Sequence, residues 1–446
     1  MSSSQSPTPA HSGQASALSG TVRVPGDKSM SHRSLMFGAI AIGETRISGL
    51  LEGEDVMATA QIMRQLGAKI EKQGDQWVVQ GRGLGALQEP DEPLDLGNSG
   101  TSARLLAGLI GGHPITVSMS GDASLNKRPM GRVMDPLSQM GVQFLAREDK
   151  KLPLTMRGPR DVLPIAYELP VASAQVKSCV LLCGLNARGE TTVIEPEPTR
   201  DHTENMLRGF GAQVRVEWID GKKHSIVVGQ PTLQGCEVTV PADISSAAFV
   251  LVAAAIVPGS QVTLSDVGMN PLRTGIIDSL RDLGAQIEVA NARTVAGEDI
   301  ADLTVTYAPL AGCKIAGERA SAQIDEYPVL SVAAAAASGT TRFEGLGELR
   351  VKESDRLAGI CHMLEQAGIS YRSGEDWLEI DGVGANALFP GGGVVNSQLD
   401  HRRVMATMVM GMNCAQPVGI DDSSPANTSF PGFFELMDGL GGRISR

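Results

Sequence analysis

Positive side chains recur in this sequence at places where a helix should not want them. Lys28 and Arg33 open one apolar helical stretch, Arg128 and Arg132 open a second, and Arg200 opens a third. Lys352 and Arg356 head a fourth, and His401, Arg402 and Arg403 a fifth. The helix macrodipole disfavours a cation in the first turn by about 0.3–1 kcal/mol. Lys352 and Arg356, read as four apart on one helix, also repel each other. Local choices that oppose local physics are expected at functional sites. A bound anion removes the conflict, because a helix N-terminus offers free N–H groups and guanidinium groups add bidentate contacts to phosphate or carboxylate. Several such termini brought together would bind a polyanion. The alternative is a set of solvated charges, or ion-pair partners for Asp201, Glu204, Asp355 and Asp400, which lie close in sequence. Recurrence of the cations at equivalent places favours the anion site.

Acids stand among these cations. Asp325 and Glu326 precede Tyr327-Pro328, and Glu353 lies between Lys352 and Ser354. Such carboxylates can be plain ion-pair partners; on separate elements beside an anion they could instead divide base and acid work. Gly97-Asn98-Ser99-Gly100-Thr101 lets the backbone approach a ligand closely at Gly100. It lacks the lysine of a phosphate-binding P-loop and the later acid of a dinucleotide fingerprint, and no GxSxG elbow of a serine hydrolase occurs.

The elements that must position these residues are repeated. Six helix-like stretches end in Gly67, Gly141, Gly211, Gly284, Gly368 and Gly441, each reading as a C-terminal cap that feeds a strand. Val24-Pro25-Gly26-Asp27-Lys28-Ser29 returns as Val240-Pro241-Ala242-Asp243-Ile244-Ser245. The chain therefore reads as two halves of three units each. The first helix of each unit is apolar nearly all round, as Ser331 to Ala337 shows, and is expected at the centre of its domain; the second is amphipathic and faces water. Strands alternating with such helices predict parallel pairing. The fold class is α/β, a two-domain inside-out α/β barrel of six βαβαββ-like units. Expected boundaries are a disordered tail over residues 1–20, one domain over 26–241, and a second over 21–25 plus 242–446.

A chain of 446 residues with 42% apolar content is long enough for two cores. Its net charge of −12 and 4% aromatic content argue against nucleic acid, so any anionic ligand must meet a local basic cluster. Residues 1–20 hold no Lys or Arg and no apolar core, so neither a secretory signal nor a transit peptide fits. The apolar run Ala247 to Val257 is too short to cross a bilayer. A soluble, cytoplasmic protein is expected. The cysteines lack paired CxxC spacing and read as reduced, buried thiols, with Cys179 and Cys183 on one helix face as core rather than metal ligands.

Taken together, Val24 to Arg33, Gly97 to Thr101, Lys127-Arg128-Pro129-Met130-Gly131-Arg132, Ile324 to Pro328, Arg350 to Arg356 and Asp400-His401-Arg402 resemble the 5-enolpyruvylshikimate-3-phosphate synthase family, in order and from about residue 20 onward. The resemblance implies two three-repeat domains joined through Arg23 to Gly26 and Val240 to Asp243. It implies transfer of the carboxyvinyl group of phosphoenolpyruvate to the 5-hydroxyl of shikimate 3-phosphate, with no metal or organic cofactor, no nucleic-acid or membrane partner, and a monomer. Carried onto matching positions, it implies that shikimate 3-phosphate is held by Lys28, Ser29, Arg33, Ser173, Gln175, Arg200, Asp325 and Lys352. Phosphoenolpyruvate is held by Lys28, Gly100, Arg128, Gln175, Arg356 and Arg402. Asp325 takes the hydroxyl proton, and Glu353, with Lys28, protonates the methylene carbon.

Two departures stand out. Asn427-Thr428-Ser429-Phe430-Pro431 lacks a lysine that many members carry, and Ser173-Ala174-Gln175 has Ala where many have a second Ser. With Thr199 to Thr203, these features are similar to the bacterial class that includes glyphosate-tolerant members. A transferase acting on UDP-N-acetylglucosamine shares the sixfold repeat but usually carries a reactive cysteine where Asp122 to Arg128 has none. A non-catalytic anion-binding relative predicts loss of an acid, yet Asp325 and Glu353 are both present.

Overall fold

The computed structural model describes residues 7–295 and 297–446. Among these, thirteen α-helices follow one another: α1 (Lys28–Ile40), α2 (Glu54–Gln65), α3 (Gly100–Gly111), α4 (Gly131–Gln139), α5 (Ala174–Gly184), α6 (His202–Gly209), α7 (Ile244–Ile256), α8 (Gly275–Asp282), the one-turn α9 (Ala320–Gln323), α10 (Tyr327–Ala336), α11 (Arg356–Gln366), α12 (His401–Gly411) and α13 (Phe433–Gly439). Apart from α9 they form six pairs. All six punctuating glycines close the second member of a pair with φ between 75° and 112°. A side chain there would be strained, which is why glycine stops each helix and turns the chain into the next strand.

Five of the six leading helices start on short polar side chains that take an orphan backbone N–H, α10 being the exception. Asp27 accepts from Met30, Ser99 from Ser102, Ser173 from Val176, Asp243 from Ser245 and Asp400 from Arg402. The leading helices run into the interior; every residue of α7 and of α10 is buried. Helices such as α8 and α11 bury one stripe only. The helical layer therefore lies innermost, as the small apolar residues predict.

The chain forms two compact units. One comprises Gly26–Val240 with Val295–Glu298; the other comprises Met1–Pro25, Pro241–Thr294 and Asp299–Arg446. We call them the N-terminal and C-terminal units. Each has its own apolar core, around α1, α3 and α5 in the first and α7, α10 and α12 in the second.

Six sheets of four strands cover these helices. They are mixed, not parallel. In the N-terminal unit, Glu190–Glu195 pairs parallel with Ala166–Glu168 but antiparallel with Lys222–Val228, which returns antiparallel to Val214–Ile219. The hairpin turn is Asp220-Gly221, both with positive φ, a two-residue connection that enforces antiparallel pairing and that a reading of helix–strand alternation overlooks.

The amino-terminal segment also differs from the expected tail. Ala10–Ser12 lies between Val418–Ile420 and Ile444–Ser445, pairing with both, and Ser19–Val22 lies parallel to Gln261–Leu264. Ala10, Ser12 and Leu18 are fully buried. The sixth repeat lacks an inner hairpin strand of its own, and this segment supplies it; polar composition said nothing of that vacancy in a sheet made at the far end of the chain. The part of the tail reading that falls on residues 1–6 lies outside the described residues. The six cysteines are all unpaired; Cys179, Cys183 and Cys414 are buried, whereas Cys236, Cys313 and Cys361 are only half-buried. Burial pushes the Cys183 thiol up to about 12.

Candidate functional site

In the N-terminal unit the starts of α1, α3 and α5 are tied together by buried polar contacts. His32 Nδ1 lies 2.8 Å from Thr59 Oγ1, which lies 2.7 Å from Ser102 Oγ, and Ser102 donates to Ser99, the cap of α3 (2.8 Å). Burial, reinforced by Lys28 and Arg33, holds the His32 imidazole well below its ordinary range, so it serves here as a neutral hydrogen-bonding group. Lys28 ion-pairs with Asp55 at the start of α2. Arg33 is buried and fully directed: Nε to Thr203 Oγ1 (2.7 Å), one terminal nitrogen to Ser178 Oγ (2.8 Å), the other to the Ser29 carbonyl (3.0 Å).

A second group joins α3 to α5. Gln175 donates to Thr101 Oγ1 (3.0 Å) and accepts from Arg104 (2.5 Å). Gly100 opens α3, and a Cβ placed on it would lie 2.3 Å from a terminal nitrogen of Arg128, so that guanidinium lies directly over the helix start. Arg200 is half-buried beside Thr199, and Thr199 is locked by a buried ionic cluster. Glu195 accepts from the Thr199 N–H (3.0 Å) and hydroxyl; Lys177 reaches the Thr199 carbonyl (3.1 Å), Glu195 (3.1 Å) and Glu204 (2.8 Å); Lys223 approaches both carboxylates. Burial favours neutral forms here, but Glu204 and Glu195 raise the Lys177 ammonium above its ordinary value, and Lys177 and Lys223 hold the Glu204 carboxyl below its own.

In the C-terminal unit one guanidinium gathers three carboxylates. Arg356 is buried and contacts Asp325 (2.9 Å), Glu353 (2.6 Å) and Asp400 (2.9 Å). Burial opposes its charge, but these acids raise its pKa further. Burial also opposes ionisation of Asp400; Arg356 and His401 outweigh it and hold that carboxyl below the ordinary range. Lys352 lies 3.8 Å from Asp325 Oδ1. Arg402 donates to the Asp325 carbonyl (3.0 Å) and lies 3.7 Å from Glu326.

The proposed site residues divide between the two units. Lys28, Ser29, Arg33, Gly100, Arg128, Ser173, Gln175 and Arg200 belong to the N-terminal unit, and Asp325, Lys352, Glu353, Arg356 and Arg402 to the C-terminal one. Three local readings change. Lys352 and Arg356 do not share a helix: Asp355 caps α11 between them, and Asp325 bridges them, so repulsion becomes a shared ion pair. Arg128 lies before α4 and Arg200 before α6, on loops rather than in first turns. Sequence reasoning also missed Asp55, Arg104, Ser178 and Thr203. Arg104 was findable, one helical turn beyond Gly100 on the same face; the others are brought in by tertiary packing. Among the described residues no group of three or more His, Cys, Asp or Glu has the arrangement of a metal site. No helix there is long and apolar enough to cross a membrane.

The model of the family described as EPSP synthase (3-phosphoshikimate 1-carboxyvinyltransferase) matches residues 13–437. The chain belongs to the EPSP synthase family. A 3-phosphoshikimate 1-carboxyvinyltransferase of Acidiphilium cryptum is 55% identical over 431 residues, 96% of either chain. The EPSP synthase structure from Acinetobacter baumannii superposes with a TM-score of 0.86 at 43% identity, covering 98% of this chain and 100% of that one. The enolpyruvyl transferase NikO from Streptomyces tendae shares the fold at a TM-score of 0.76 and 17% identity, over 98% of this chain and 99% of its own. The two-domain inside-out α/β fold is therefore that of EPSP synthases, and NikO shares it.

Proposed function

We infer that this chain transfers the carboxyvinyl group of phosphoenolpyruvate to the 5-hydroxyl of shikimate 3-phosphate, giving 5-enolpyruvylshikimate 3-phosphate and inorganic phosphate. Two substrates bring two phosphates and two carboxylates, and an acidic protein needs concentrated cations to take them. Lys28, Arg33, Arg104, Arg128 and Arg200 supply them in the N-terminal unit. Shikimate 3-phosphate is held by Lys28, Ser29, Arg33, Ser173, Gln175 and Arg200 there, and by Asp325 and Lys352. Phosphoenolpyruvate is held by Lys28, Gly100, Arg128 and Gln175, and by Arg356 and Arg402.

Both assigned acid–base groups flank a single guanidinium, and this observation carries the mechanism: Asp325 and Glu353 are 2.9 and 2.6 Å from Arg356. Each is thus an ion-pair partner of Arg356. Asp325 is then ready to accept the 5-hydroxyl proton as that oxygen bonds to C2 of phosphoenolpyruvate. Glu353 needs a proton to give to C3. When a substrate anion claims Arg356, the carboxylate left behind takes up a proton more readily, and substrate binding thus charges the acid it requires. Addition yields a tetrahedral ketal with a methyl group; loss of a methyl proton and of phosphate restores the double bond.

The test is phosphate release by purified protein with both substrates, with UDP-N-acetylglucosamine as comparison acceptor. Release that depends on shikimate 3-phosphate supports the reading. Release only with the sugar nucleotide, or with neither, overturns it.

A further inference from the structure

The first helices of the two units are entered through related sequences, Val24 to Ser29 and Val240 to Ser245, and in both the aspartate caps the helix. One position differs in charge: Lys28 has Ile244 as its counterpart. In the C-terminal unit the cation comes from elsewhere. Arg273, just before α8, donates to Asp243 Oδ1 (3.2 Å) and to Ser245 Oγ (2.7 Å). Ser245 is the counterpart of Ser29, which we assign to a substrate anion. Its hydroxyl donates instead to the carboxylate of Glu326. A side chain of the protein thus takes, at this helix, the place that repeat symmetry gives to a ligand at the other.

Glu326 is buried, and the same oxygen that accepts from Ser245 lies 3.7 Å from Arg402, which also donates to the Asp325 carbonyl. We propose that Glu326, anchored by Ser245, which Arg273 holds in turn, is a positioning residue that aims Arg402 at phosphoenolpyruvate. The proposal rests on the Arg402 assignment above. An arginine side chain loses much rotamer freedom when it grips a ligand; a buried carboxylate that holds it beforehand removes that loss from the binding step.

The test uses the full chain and four variants: Glu326→Gln, Ser245→Ala, Arg402→Ala and the double variant Glu326→Gln/Arg402→Ala. Glu326→Gln is expected to raise KM for phosphoenolpyruvate about tenfold and to leave KM for shikimate 3-phosphate within about twofold. Ser245→Ala shifts the same constant in the same direction, by less. In the double variant KM matches that of Arg402→Ala alone, because Glu326 acts through that guanidinium. Multiplied effects in the double variant, or equal rises for both substrates, overturn the proposal. If Arg402→Ala weakens phosphoenolpyruvate and Glu326→Gln does not, the positioning role alone falls. If Arg402→Ala itself leaves phosphoenolpyruvate unaffected, the Arg402 assignment falls and the proposal with it. Should Glu326→Gln fail to fold by circular dichroism, Ser245→Ala decides: wild-type constants for both substrates overturn the role.

Discussion

Gly100→Ala isolates one contact of the proposed phosphoenolpyruvate site. The backbone at Gly100 lies outside the left-handed region, and alanine is a better helix former than glycine, so the start of α3 tolerates the change. The added methyl does not fit beside Arg128. Its carbon would lie 2.3 Å from one terminal nitrogen, 2.7 Å from Cζ and 2.9 Å from the other nitrogen, where ordinary contact begins at 3.4 Å. Ser99 caps this helix turn and the Ala103 N–H bonds back to the Ser99 carbonyl (3.0 Å), so the backbone is pinned and the guanidinium must retreat by about 1 Å. A displacement of that size at a substrate-positioning group lowers rate by up to about 10²-fold. We therefore expect kcat/KM for phosphoenolpyruvate to fall about 10- to 100-fold, mostly through KM, with KM for shikimate 3-phosphate within about twofold. Steady-state phosphate release, varying one substrate at a time, measures this. An unchanged KM for phosphoenolpyruvate, or equal rises for both substrates, refutes the placement of Arg128.

Asp325→Asn and Glu353→Gln are expected to leave the fold intact by circular dichroism and to lower turnover by about 10² or more, as loss of acid–base groups does; undiminished phosphate release in either would remove that residue from proton transfer. Lys177→Met leaves Glu195 and Glu204 buried with only Lys223 for compensation, and is expected to lower unfolding free energy by about 3 kcal/mol in denaturant titration; a loss under about 1 kcal/mol would make the cluster no stronger than a surface pair. The Glu204 carboxyl is held below its unfolded value, so its contribution is complete above about pH 4.3 and is lost as pH falls through the folded value. Melting temperature should fall less steeply between about pH 5 and pH 3 in Glu204→Gln than in the parent chain, while the Lys177 ammonium, raised above its unfolded value, stays charged throughout and matters only on the alkaline side; parallel curves would refute this assignment.

Much of the fold was legible because its signals are local. A glycine with positive φ after each second helix is a backbone requirement, and an all-apolar helix such as α7 must lie inside. Placement of Ala10–Ser12 was not legible, since the partners that bury it lie about the full chain length away and its own residues carry no strand signature beyond alternation. The site divides in the same way. Cations that contradict the helix dipole drew attention to Lys28, Arg356 and Arg402, and the structure gives each an acidic or carbonyl partner. The supporting residues Asp55, Ser178 and Thr203 are ordinary in their own segments and become informative only through the side chains they hold.

The ion pairs around Arg356 bear on the work of the C-terminal cluster. In the N-terminal cluster Lys28 meets Asp55, and Arg33 and Arg104 are oriented by hydroxyl, carbonyl and amide groups. In the C-terminal cluster Lys352, Arg356 and Arg402 face Asp325, Glu326, Glu353 and Asp400, so the field is cancelled locally. A balanced cluster is a poor first host for a doubly charged substrate but a good place for proton transfer, because exchanging one partner of Arg356 alters the proton affinity of the rest. Removing Arg356 should accordingly lower kcat as well as weaken phosphoenolpyruvate binding, and an unchanged kcat in Arg356→Ala would refute this.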